Sequence, residues 1–341
     1  MEAKTVTLTT KPDAALHVSI LRARPEERGS MSNTLVVFLN GLVLPCTSWA
    51  ETVDHLVGIR SDSGQPIPAI LCYDRYGQGK SDTDPTDIPD SPYGHDARAV
   101  VADLHQLLTQ ISQDELGRSL DDIRLVLVCN SIGCPLARLY AAKHPGQVAA
   151  YLFLDSMMAN TDFVSIFPDP DSPGFDESQL PEDVTADALR HARAKFRQFF
   201  HPTVPNPEHL DRRQLRELLP QAGGPALPDG PGGKPAQLVV VGHDWDEFAK
   251  QCEEVRLYQR RRFGCRRCAY SMTTAGLIVC SEGRHQRVHE PRMGFVQRRP
   301  VSPGRGKDRG QNSKGLRSLH PERRPGFRGC RDQQHPERVE G

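Results

Sequence analysis

The sequence has no net charge, no long apolar run and no even set of cysteines, and each lack excludes a class of protein. Its 43 Lys and Arg balance 43 Asp and Glu, but the balance averages two unlike parts. From Val255 onward there are 21 basic and 7 acidic residues, against 22 and 36 before it. No stretch approaches the ~18 consecutive apolar residues of a membrane helix, so a membrane protein is not expected. The opening MEAKTVTLTTKPD lacks the basic lead and apolar core of a secretory leader. The nine cysteines are odd in number, and Cys72 and Cys129 lie in apolar runs. That usage fits reduced intracellular thiols and a cytoplasmic location better than a disulfide framework. At 341 residues the chain is long enough for one large α/β domain or two small ones.

What is present centres on Leu125 to Pro145, where an apolar run ends in Cys129-Asn130-Ser131-Ile132-Gly133 and a helical pattern follows. Small-x-Ser-x-Gly between a buried strand and a helix has the form of a nucleophile elbow. The turn is so sharp that the residues two away from the Ser must be small. It raises the Ser131 hydroxyl above the sheet edge and aims the Ile132 N–H at an acyl oxygen. The plain alternative is an ordinary strand-to-helix turn in which Ser131 caps the helix.

The flanking sequence supplies context. Residues 4–9 and 15–21 are rich in β-formers around Lys11-Pro12-Asp13, which predicts an opening hairpin turned at those three residues. Strands are predicted at 35–39, 69–73, 124–129, 148–154 and 238–241. Helical spacing recurs over 48–59 and 97–111 and after the elbow. This alternation calls for right-handed crossovers, and hence an α/β fold with a mainly parallel sheet and helices on both faces. Residues 156–233 interrupt it with helical stretches at about 184–200 and 207–219 among Pro, Asp and Gly. Too long for a connection and too polar for a core, this part is expected to form an inserted helical lid, or else a surface hairpin.

With these pieces in order, residues of about 4–254 resemble the α/β-hydrolase superfamily. Asn40-Gly41 stands where that family commonly has His-Gly after its third strand. Asp74-x-x-Gly77-x-Gly79-x-Ser81 matches its D-x-x-G-x-G-x-S turn, the elbow follows about 50 residues later, and Gly242-His243-Asp244 ends the strand at 238–241. The resemblance implies a core of 1–155 and 234–290 around a lid of 156–233, followed by a basic tail of 291–341. It further implies a Ser–Asp–His hydrolase without cofactor or metal. Ser131 is then the nucleophile of an acyl-enzyme mechanism, and the N–H groups of Leu42 and Ile132 hold the oxyanion. The substrate is a small organic molecule carrying an ester, thioester, lactone or related acyl bond. A Ser nucleophile disfavours epoxide hydrolase and dehalogenase chemistry, which needs a carboxylate. Asp244 is preferred as the acid because it lies nearest the strand end; Asp246 and Asp155 are the alternatives. His285, five residues past the apolar run 275–280, is the candidate base.

Beyond Glu254 the sequence departs from the family: it is Arg-rich, and no amphipathic helix follows His285. Residues 297–341 carry too few apolar side chains to offset the entropy of ordering them. Three readings stand. His285 is the genuine base ahead of a disordered tail; or the end is not family sequence, through a frameshift or retained intron; or it is a basic module. Under the last, Cys265-x-x-Cys268 with Cys280 and His285 or His289 loosely imitates zinc-finger spacing. The tail lacks the aromatic interleaving of a nucleic-acid binder, so nucleic acid is not an expected partner. The competing functional reading is a hydrolase-fold protein without catalysis, serving as a binding or scaffold protein or a defective gene product.

Overall fold

A computed structural model describes residues 1–23, 31–182 and 184–244. Asp246, the apolar run 275–280, His285 and the basic tail lie outside the described residues.

The expected strands form at their expected positions: β1 (Glu2–Leu8), β2 (Lys11–Leu21), β3 (Thr34–Leu39), β4 (Ala69–Tyr73), β5 (Arg124–Asn130), β6 (Val148–Leu154) and β7 (Gln237–Val241). They make one sheet in the order β1-β2-β4-β3-β5-β6-β7. The pairs β1–β2 and β2–β4 are antiparallel, and the other four are parallel.

Side-chain alternation along the central strands divides the core between the two faces. Leu35, Val37 and Leu39 of β3 pack with Leu71, Leu125, Leu127 and Cys129 beneath α2 (Ala97–Leu116) and α3 (Gly133–Lys143). Val36 and Phe38 face the other way, with Ile70 and Cys72, onto Trp49 and Val53 of α1 (Ala50–Asp62) and the turn before it. Helices therefore cover both faces. α2 begins where the Asp96 carboxylate accepts from the N–H groups of Arg98 and Ala99, both at 2.9 Å. It ends at Gly117, in the left-handed conformation with φ of 62°.

The hairpin turns earlier than its sequence predicts. β1 and β2 meet at Leu8↔Lys11, and the register then jumps to Thr7↔Ala15, leaving Pro12, Asp13 and Ala14 outside the ladder. Lys11-Pro12-Asp13 is thus part of a bulge inside β2, where a Pro without an N–H costs no ladder bond. The bulge turns Lys11 inward, and its ammonium donates to Asp84 at 2.5 Å and to Asp103 at 2.7 Å.

Between β6 and β7 the chain is only partly what its composition suggests. α4 (Ala186–Phe199) forms as expected and packs its aromatic edge, through Phe196, on Phe167 at a centroid distance of 4.7 Å. The helix expected at 207–219 shrinks to one turn, α5 (Leu215–Leu218). Over 206–212, Asn206, Glu208, Leu210, Asp211 and Arg212 are buried. Leu210 and Leu215 join Ala97, Val100, Ile132 and Leu136 in a third apolar cluster. The expectation that the whole insertion is too polar for a core fails here, because each of its buried polar side chains finds partners, Arg212 through Nη2 alone. The Gly94 N–H donates to the His209 carbonyl at 2.7 Å, and the Asp211 N–H to the His95 carbonyl at 2.8 Å.

Candidate active site

Ser131 sits between β5 and α3 with φ of 50°, a left-handed backbone that a residue with a side chain rarely adopts. That geometry is held from several sides. The Ser131 N–H donates to the Leu154 carbonyl at 3.2 Å, and the Ser131 carbonyl accepts from Cys134 at 3.1 Å and from Met157 at 3.4 Å. Gly133 is required by a neighbour: a Cβ there would lie 2.4 Å from the Leu39 carbonyl oxygen. Cys129, two residues before Ser131, is fully buried in the core face, which explains why a small thiol serves where a Gly is usual. α3 has no side-chain cap, so Ser131 does not act as a helix cap. No hydrogen bond of its hydroxyl is found among the described residues. The hydroxyl stands at the N-terminus of an 11-residue helix, where the macrodipole favours negative charge.

The Asn40-Gly41-Leu42 loop passes directly over the elbow. A Cβ on Gly41 would come within 2.7 Å of the Asn130 side-chain oxygen and 3.6 Å of the Ser131 Cβ, which shows how closely the loop backbone packs on the elbow. Asn40, 1% exposed, is fully used. Its amide donates to the Tyr73 carbonyl at 2.8 Å and to Gln78 Oε1 at 2.9 Å, and its Oδ1 accepts from Trp49 Nε1 at 2.7 Å.

The turn at 74–81 braces this loop from below. Asp74 Oδ1 accepts from the Cys46 N–H at 2.5 Å and Oδ2 from the Lys80 N–H at 3.0 Å, with His17 Nδ1 at 3.1 Å from Oδ2. Gly79 leaves room for that carboxylate, since a Cβ there would lie 2.3 Å from Asp74 Oδ2. Gly77, with φ of 74°, leaves room for the insertion, because its Cβ would meet the Glu208 carbonyl oxygen at 2.7 Å. The Glu208 carboxylate then pairs with Arg75: Nη2 donates to Oε2 at 2.9 Å and Nε at 3.1 Å. Sequence reasoning missed Glu208, and no local sequence signal marks it, although in the structure Asn206, Glu208 and Leu210 are buried while Pro207 and His209 between them are exposed.

Of the other expected residues, Ile132 is buried at the start of α3 and Leu42 is half-buried in the cluster around Ile132. Asp155 follows β6 with φ of 46°, and its N–H donates to the Val241 carbonyl at 2.8 Å. His243, just past β7, has its Nδ1 2.8 Å from Asp155 Oδ1. Asp244 is exposed beside it. The structure thus brings Ser131, Leu42 and Ile132 together, and joins Asp155 to a histidine that the sequence reading had not weighed.

Two groups have metal-ligand chemistry, His17 with Cys46 and Asp74, and Asp84 with Asp87 and His95. In both, protein donors already engage the carboxylates. Asp74 holds two backbone N–H groups and Asp84 holds the Lys11 ammonium. Burial, with the adjacent Asp74 carboxylate, pushes the Cys46 thiol up to about 12, so it stays protonated.

A family model described as the alpha/beta hydrolase family matches residues 36–296. The chain belongs to this family. Among solved structures it is similar to an alpha/beta hydrolase from Novosphingobium aromaticivorans, with 23% identity over 45% of this chain and 44% of that one and a TM-score of 0.33. That match spans less than half of the relative's length. An epoxide hydrolase mutant from Vigna radiata is 18% identical over 71% of this chain and 80% of its own, with a TM-score of 0.39. Epoxide hydrolase A from Mycobacterium thermoresistibile is 17% identical over 76% and 98%, with a TM-score of 0.38. No curated protein matches the chain. As an alpha/beta hydrolase it has its sheet and elbow in the order the family resemblance implies, and no helix among the described residues is long and apolar enough to cross a membrane.

Proposed function

We propose that this alpha/beta hydrolase is a serine hydrolase that cleaves an ester, thioester, lactone or related acyl bond of a small organic molecule in the cytoplasm. The observation that carries the reading is the left-handed Ser131 between β5 and α3, with the Gly41 loop packed above it. In this mechanism Ser131 Oγ attacks the carbonyl carbon while a histidine takes its proton. The N–H groups of Ile132 and Leu42 hold the resulting oxyanion, each such donor being worth about 3 kcal/mol of barrier. Collapse expels the leaving group, protonated by the histidine, and water then cleaves the acyl-enzyme. Ser at the nucleophile position argues against epoxide opening, which needs a carboxylate to be alkylated.

The base in this proposal is His285, oriented by Asp244. The family match extends to residue 296 and so includes position 285. A second reading takes the base to be His243 with Asp155 as its acid, favoured by their 2.8 Å contact.

A fluorophosphonate probe tests the nucleophile: it is expected to label Ser131, and Ser131→Ala is expected to abolish labelling. Labelling that survives the substitution overturns the assignment, and a wild-type chain that is never labelled returns the protein to a non-catalytic binding or scaffold role. His285→Ala and His243→Ala then separate the bases, since only loss of the true base removes turnover of p-nitrophenyl acetate.

A further inference from the structure

We propose that Glu208, reaching in from the insertion between β6 and β7, is a positioning residue for the oxyanion loop, acting with Arg75 and Gln78; this rests on the serine hydrolase reading. Arg75 donates from Nη1 to the Asn40 carbonyl at 2.8 Å and from Nη2 to the Gly41 carbonyl at 3.0 Å. Gln78 Nε2 donates to the same Gly41 carbonyl at 3.0 Å and to Glu208 Oε1 at 2.9 Å. The Val43 N–H donates to Glu208 Oε1. Every peptide from Asn40 to Val43 is therefore gripped by at least one side chain of this buried set, and the Gly41–Leu42 peptide by two.

The direction of the grip is what matters. In a trans peptide the C=O and N–H point opposite ways. The Gly41 carbonyl faces Arg75 and Gln78, so the N–H of the same peptide, that of Leu42, faces away from the clamp. That is the N–H the mechanism needs. One peptide later the sense reverses, because the Val43 N–H turns back into the clamp. Val43, which donates that N–H, itself sits at φ of 55°, a left-handed conformation unfavourable for a β-branched residue. Such strain persists only where its surroundings over-determine it, and Glu208 supplies the acceptor that does so.

A stabilising role alone does not explain this set. The side chains of Arg75 and Glu208 are 3% and 0% exposed. Burying such a pair costs desolvation that its attraction only roughly repays, and apolar residues of similar volume commonly stabilise as well. Apolar residues, however, cannot fix which way a peptide points. With Glu208 gone, Arg75 loses its counter-charge and Val43 its acceptor. The Gly41–Leu42 peptide is then held only by an Arg75 and a Gln78 that have lost their own anchor, and a flip presents its carbonyl oxygen to the developing oxyanion.

The test uses the full chain and follows p-nitrophenyl acetate turnover together with the rate of fluorophosphonate labelling at Ser131. Glu208→Ala is expected to lower kcat and the labelling rate about 10²–10³-fold, the range seen when one oxyanion donor is lost. KM is expected to stay within about twofold, and a trifluoromethyl ketone, which forms the tetrahedral oxyanion, to weaken by the same factor as kcat/KM. Glu208→Gln keeps an oxygen for the Val43 N–H and is expected to recover part of the loss. If Glu208→Ala does not fold, Gln78→Met, which removes one donor to the Gly41 carbonyl and leaves the ion pair intact, is expected to show the same kcat-selective loss at about tenfold. Folded variants with wild-type kcat and labelling overturn the proposal, as does a loss carried by KM alone. A wild-type chain unlabelled at Ser131 removes the serine hydrolase reading and this proposal with it, a result separate from wild-type labelling that the variants leave unchanged.

Discussion

His243 Nδ1 lies 2.8 Å from Asp155 Oδ1, linking the residue after β6 to the turn after β7. The contact makes two carboxylates rivals for one task, since Asp244 follows immediately in the chain. With Asp244 as the acid, Asp244→Asn is expected to lower kcat for p-nitrophenyl acetate about 10⁴-fold, as loss of a triad acid does. Asp155→Asn is expected to cost less than about tenfold. The opposite ranking in steady-state kinetics assigns the acid to Asp155 and the base to His243.

Gly133 carries a steric prediction. Because an added Cβ would lie 2.4 Å from the Leu39 carbonyl, and backbone cannot step aside as a side chain can, Gly133→Ala is expected to destabilise the fold by about 3 kcal/mol. A lower urea midpoint with an unchanged slope is the expected signature.

Lys11, turned inward by the β2 bulge, neutralises two carboxylates, Asp84 and Asp103. Burial raises Asp103, more than its bond to Lys11 lowers it. For Asp84 burial also pushes upward, but the bonds from Lys11 and Thr86 outweigh it and hold the carboxyl below its usual range. Lys11→Met leaves two buried carboxylates without their cation and is expected to cost about 3–5 kcal/mol at neutral pH. In the variant both carboxyls prefer the protonated form when folded, so its stability is expected to rise as pH falls. Urea titrations at pH 7 and pH 5 check this, and a variant equally unstable at both denies the explanation by unpaired buried carboxylates.

The rings of His105 on α2 and His144 after α3 stack at a centroid distance of 3.7 Å and 6° apart. Burial first, then His105 and Lys143, depresses His144 to about 4, and burial and Lys143 also lower His105. A histidine depressed in the folded state binds its proton more readily when unfolded. Stability from this pair is therefore complete above about 6.5, the ordinary histidine value, and is lost as pH falls toward 4. His144→Phe keeps a flat ring on His105 and is expected to reduce the drop in Tm between pH 7 and pH 4.5. An unchanged drop assigns the acid lability to other groups.

The strands and the three core helices were legible because their signals are local. Short continuous apolar runs mark β3 and β4, buried at every position, and the apolar stripe from Val100 to Ile111 marks α2. The elbow was legible for the same reason, with Ser131 and its obligatory Gly133 two residues apart. The hairpin turn was misplaced because Pro12-Asp13 carries the composition of a turn while serving as a bulge. Glu208 was illegible for a different reason. It lies among Pro207, His209, Asp211 and Arg212, and a charged residue in such company reads as solvated. Its burial depends on Arg75, 133 positions earlier, and on the space left by Gly77, so no window of sequence contains the cause.

That separation has a consequence for synthesis. A chain growing from its N-terminus can assemble β1 through β6, with Ser131 already on its bend, before residue 208 has been made. Until then Arg75 and the Val43 N–H have no Glu208 to meet, and the loop above Ser131 lacks that support. Under the serine hydrolase reading proposed above, the oxyanion loop therefore gains this support only after β6 is complete, when the segment carrying Glu208 packs against Gly77.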